Sequence, residues 1–106
     1  MKHFLFVPGG PGFSGFEEAR VLGPRLAAVG WTTTFWEDPS RNDATVDPSS
    51  FFERYLASLE DTIRNLRGPH LTLACHSAAV HGALIAMQRA GVEVGRLVMI
   101  APSLSV

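Results

Sequence analysis

Leu71-Thr72-Leu73-Ala74-Cys75-His76-Ser77-Ala78-Ala79-Val80 decides how this chain folds. An apolar run of strand character stops at a serine bracketed by small residues, and an apolar helical run begins at once. So tight a turn leaves no room for large side chains two positions before and after the serine. Cys75 and Ala79 hold those positions, and both are small. The spacing fits a small-x-Ser-x-small bend, the broader form of GxSxG, with the hydroxyl held out of a strand-to-helix turn. A serine hydroxyl is a poor nucleophile unless a base and oxyanion donors can reach it, and such a bend gives them access. The competing structural role for Ser77 is a helix N-cap that accepts a hydrogen bond from the first turn.

A second stretch shifts the balance: His3-Phe4-Leu5-Phe6-Val7-Pro8-Gly9-Gly10-Pro11-Gly12-Phe13-Ser14-Gly15. Phe4 to Val7 is short, aromatic and β-branched and reads as a buried strand, and the Gly/Pro cluster behind it forces a loop. Glycines leave the N–H groups of that loop bare, so a developing negative charge can approach them closely.

With both stretches in view, the chain resembles the α/β-hydrolase superfamily. More narrowly, it is similar to members with an HGGPG loop after the third strand, such as the proline iminopeptidases. Here the loop reads Pro8-Gly9-Gly10-Pro11-Gly12, with proline where those relatives carry histidine. The resemblance implies that Ser77 is the nucleophile and that the backbone N–H groups of Gly10 and Ala78 form an oxyanion hole. Cys75, His76 and Ala79 would then shape the elbow, and Gly9, Pro11 and Gly12 the loop.

The resemblance runs over essentially the whole chain. After the loop come a helix from about Phe16 to Val29, a strand from Trp31 to Trp36, a polar loop, and a long helix from near Pro48. The elbow strand, the elbow helix and a strand Leu97 to Ala101 complete the order of the family's third to sixth strands. This implies an α/β fold of three layers, with a mainly parallel open sheet of about four strands and helices on both faces. It also implies that the Phe4–Val7 strand lies beside Leu71–Cys75, where diverging right-handed crossovers open a crevice at the carboxyl ends.

The helices carry their own signals. Phe52, Leu56, Leu59, Ile63 and Leu66 recur at steps of four and three, which predicts one buried stripe. Asp47 can cap that helix, Pro48 suits its first position, and Gly68-Pro69 ends it. The helix after Ser77 has so little polar surface between Ala78 and Met87 that it is expected to be buried nearly all round. Gly82 in its interior lowers helix propensity by about 1 kcal/mol relative to alanine, so its value there is close packing. Gly23-Pro24 interrupts the first helix and is expected to kink or restart it.

A rival reading takes Gly10-Pro11-Gly12-Phe13-Ser14-Gly15 as the GxGxxG of a Rossmann-type dinucleotide-binding domain, with Glu37 or Asp38 as the ribose acid. Two details weigh against it. Pro11 removes one N–H donor from the loop, and the fingerprint gives no account of the small-flanked serine. Otherwise Glu37 and Asp38 read as a polar strand-end loop.

In the family order the acid and then the histidine follow the serine. No acid lies after Glu93 here and no histidine after His81, so base and acid are expected to be absent from these 106 residues. His3 and His70 precede their strands, at the wrong end of the sheet; His76 occupies the elbow's variable position, and His81 lies one helical turn beyond Ser77, whereas a base must come from the opposite side of the crevice. The expectation is a single domain cut short after the sixth family strand, whose exposed edge pairs with the missing part of the fold or with a partner.

Net charge of −1 and a pI near 6.4 give no electrostatic reason to expect nucleic acid or an anionic membrane. Composition is 46% hydrophobic with a mean hydropathy of +0.15, enough for one core, and no apolar stretch approaches a membrane span. The lone Cys75 reads as a small buried hydrophobe, no metal site is expected, no cofactor is implied, and a cytoplasmic location is the default. The expected function is therefore hydrolysis of a small ester, amide or thioester through an acyl-enzyme at Ser77. An acyltransferase of the same fold and a non-catalytic binding module are the alternatives.

Overall fold

The computed structural model describes residues 2–9, 15–38, 50–91 and 93–100. They form an α/β fold, a four-stranded, all-parallel open sheet with three helices. In chain order these are β1 (His3–Val7), α1 (Phe16–Ala28), β2 (Thr32–Phe35), α2 (Phe51–Leu66), β3 (Gly68–His76), α3 (Ala79–Ala90) and β4 (Val94–Ile100). The strands lie in the order β2-β1-β3-β4. Phe6 of β1 stands opposite Phe35 on one side and Ala74 on the other. The adjacency implied by the resemblance is thus present. The connection leaving β1 runs outward to β2 and that leaving β3 runs the other way to β4, so the topological switch point lies between β1 and β3.

Alternation along the strands sorts side chains between two layers. Leu5, Val7, Leu71, Leu73 and Cys75 join Leu56, Leu59, Ile63, Val80, Ala83 and Ala86 in the main core, beneath α2 and α3. On the opposite face Phe4, Phe6 and Phe35 form an aromatic row, with ring centroids 6.2 and 5.9 Å apart. Helix α1 lies there against β2, with Gly23 close to the Phe35 ring. It continues through Pro24 as one helix rather than restarting. Among the described residues no helix is long and apolar enough to cross a membrane.

Two helical expectations need correction. On α2 the buried face is Tyr55, Leu56, Leu59 and Ile63, while Phe52 is 45% exposed. Phe52 stacks on the outside of Tyr55, and Trp36 meets Tyr55 edge-on at 5.1 Å, so the tyrosine takes the inward place at the start of the stripe. On α3 only one side is covered. Ala79, Val80, Gly82, Ala83 and Ala86 are buried, but Leu84 and Ile85 are exposed, because α3 packs on α2 and β3 and no described element flanks it beyond β4. Asp47 and Pro48 lie outside the described residues. Helix α2 ends at Leu66, and Gly68-Pro69 opens β3 rather than merely closing the helix.

Gly82 does owe its place to close packing. A Cβ there would stand 2.8 Å from Cε1 of Tyr55, whose side chain is fully buried and cannot retreat. Gly82→Ala is therefore expected to lower stability by about 1–3 kcal/mol, the overpacking cost outweighing the gain in helix propensity. Chemical denaturation of both proteins checks this, with Tyr55→Leu in the Gly82→Ala background expected to recover part of the loss.

Candidate functional site

The end of β3 and the start of α3 are joined by Ser77 and Ala78. Ser77 has φ of 57°, the only positive φ of a non-glycine among the described residues. Left-handed backbone crowds the Cβ of an L residue and costs on the order of 1–3 kcal/mol, so it persists only where neighbours enforce it. They do so from both sides. The Ser77 N–H donates to the Ile100 carbonyl at 2.9 Å, and the Val80 N–H donates to the Ser77 carbonyl at 3.2 Å. The N-cap of α3 is Ala78, and no side-chain capping hydrogen bond is made.

The flanking positions follow the steric logic of the bend. Cys75 and Ala79, two residues on either side, are both buried. The Cys75 thiol points at the Val98 carbonyl, 3.7 Å away, and burial pushes its pKa up to about 11. It stays a thiol at neutral pH. His76 is half-buried and, with Phe6, Glu18, Leu22 and Ile100, lines a cavity of about 250 Å³ on the α1 side of the sheet. Ala78 is exposed at the head of α3.

Gly9 lies two residues beyond Val7, and Ser77 two beyond Cys75, and Val7 and Cys75 are register partners. The start of the glycine loop and the serine therefore leave the sheet at one level, on either side of the switch point. Gly10, Pro11 and Gly12 lie outside the described residues, and so does the N–H of Gly10 as an oxyanion donor. Gly15, where the loop rejoins the fold, packs on Phe6 and Pro8.

His3 and His70 stand at the amino end of the sheet, roughly 20 Å of strand from Ser77. The His3 ring bonds Thr34 Oγ1 at 2.7 Å, and partial burial lowers its pKa. His76 and His81 flank the bend in sequence. Sequence reasoning missed one residue here. Asp38, read as part of a polar strand-end loop, is buried at the carboxyl end of the sheet, whereas Glu37 is exposed. Burial first, and then the Asp38 charge, hold the Tyr55 phenol far above its ordinary pKa. The signal was the continued alternation past β2, which turns Trp36 and Asp38 inward together and Glu37 outward.

No protein-family model matches the chain, and no curated protein is significantly similar to it.

Two outcomes follow from this geometry. Ser77→Gly relieves the left-handed strain and is expected to raise stability by roughly 1 kcal/mol, whereas Ser77→Val lowers it; equilibrium denaturation distinguishes them. The native fold also keeps the Cys75 proton that the unfolded chain gives up near pH 9. Stability from this group is fully present below that pH and declines from about pH 9 to pH 11. Cys75→Ala is expected to make that decline shallower, leaving the part above about pH 10 that the buried Tyr55 phenol contributes, and iodoacetamide is expected to label the wild-type thiol only on unfolding.

Proposed function

We propose that this chain carries the nucleophile of a serine hydrolase of the α/β-hydrolase type, acting on a small ester, amide or thioester. The observation that carries the reading is the strained backbone of Ser77 at the carboxyl end of β3, beside the switch point, with small residues on both sides. Strain of this kind concentrates at functional sites. A dinucleotide-binding reading asks nothing special of the residue after β3.

In this reading the Ser77 hydroxyl attacks the carbonyl carbon, its proton passes to a base, and the leaving group departs to give an acyl-enzyme that water then hydrolyses. The N–H groups of Ala78 and Gly10 hold the oxyanion, each worth about 3–4 kcal/mol of transition-state stabilisation in comparable sites. The reading takes the base and the acid from polypeptide paired along β4, outside these 106 residues. No cofactor is needed. Release of the same acyl group to an alcohol or thiol would make the protein an acyltransferase.

A fluorophosphonate probe tests the reading on the protein in its native assembly. Labelling at Ser77 is expected, with Ser77→Ala abolishing it. Labelling that survives the substitution excludes this serine, and a folded assembly that binds acyl compounds without ever being labelled identifies a binding module instead.

A further inference from the structure

At the end of the sheet opposite Ser77, a cavity of about 160 Å³ is lined by Lys2, Trp31, His70, Thr72 and Arg96, together with Pro69 and Gly95. Strand register explains why these residues converge. Thr72 stands opposite Phe4 on one side and Arg96 on the other, while His3 stands opposite both Leu71 and Thr32. Lys2, His70 and Trp31 each lie one position earlier, so alternation turns all five side chains to one face. Helices α2 and α3 cover the other face, and α1 lies against β2. Over the amino ends of β3 and β4 this face carries no described helix.

An irregularity in pairing hollows out the site. Between Gly68 and Thr72 strand β3 advances four residues while β4 advances only two. Pro69 has no N–H to give the ladder, and Gly95 has no Cβ; one added there would run into the Pro69 carbonyl. Such bulges bend a strand and re-aim its side chains.

The charge of this bowl is one-sided. Lys2 and Arg96 line it, and among the described residues no carboxylate does. Arg20, Arg64 and Arg89 pair with neighbouring carboxylates, whereas neither Lys2 nor Arg96 makes an ion pair among the described residues. The Lys2 ammonium lies 5.4 Å from the centre of the Trp31 ring, a contact that steadies it without neutralising it. Glu93 belongs to the adjoining depression around Gly68 and Val94. Like charges sharing a concave surface repel until an anion sits between them.

We propose that this bowl binds the phosphate group of a small phosphorylated molecule. The Arg96 fork grips two oxygens, Lys2 supplies a point charge, and the nearly buried Thr72 hydroxyl and the His70 ring donate to the rest. Trp31 forms the wall for the organic part of the ligand. The site is remote from Ser77 and stands or falls independently of the hydrolase reading.

The test is a titration of the full chain with inorganic phosphate and with phenyl phosphate, followed by NMR at fixed ionic strength in a zwitterionic buffer. Saturable binding is expected, weakened about tenfold by Arg96→Gln and by Lys2→Gln. Arg25→Gln, at an exposed arginine of α1, is expected to change nothing. Both pocket residues are exposed, so the variants are expected to keep the unfolding midpoint of the parent. The proposal is overturned if phosphate shifts no more resonances than chloride, if acetate binds as tightly, or if Arg25→Gln weakens binding as much as Arg96→Gln. Binding to phosphatidic-acid vesicles without binding of free phosphate would overturn the small-ligand assignment.

Discussion

The parallel pairing of β1 with β3 is the constraint on which the rest of this fold depends. It sets Leu5 and Val7 beside Leu71, Leu73 and Cys75 on one continuous apolar floor, and α2 and α3 dock on that floor. The same pairing brings a strand from the start of the chain against one from its second half, with a glycine loop leaving the first and a serine bend leaving the second. Local sequence could form either strand alone. Only their register puts the two exits side by side.

A second constraint runs perpendicular to the sheet. Tyr55 stands between Trp36 at the end of β2 and the glycine face of α3, and it fills the space that a methyl group at position 82 would need. This one side chain sets how closely α2 approaches α3. Arg89 of α3 reaches Glu53 of α2 across the solvent side of the same interface, at 2.9 and 3.1 Å. That pair is exposed and screened by water, so it orients the two helices more than it stabilises them.

Much of this was legible in the residues because local and global preferences agree. The strand cores, the type and order of the elements, and the abrupt turn at Ser77 follow from apolar runs and from small or glycine-rich breaks. What stayed hidden depends on neighbours. Phe52 fits the periodicity of a buried stripe as well as Leu56 does, but Tyr55 takes the inward place against Trp36. The apolar flank of α3 predicted burial on all sides, yet burial needs a second surface, and beyond β4 the described residues offer none. The two-residue mismatch between β3 and β4 leaves no sequence trace beyond Pro69 and Gly95. Asp38 follows Glu37 in a polar stretch, and its burial depends on the strand direction persisting past Trp36.

One hydrogen bond gives the serine bend an unusual anchor. The Ser77 amide is held by the carbonyl of Ile100, the last residue of an edge strand whose neighbouring Met99 is 51% exposed. Ends of edge strands open far more readily than the interior of a sheet. The left-handed backbone at Ser77 is therefore tied to the end of the outermost strand of the described sheet. Whatever pairs with and stiffens that outer strand also steadies the geometry of the serine.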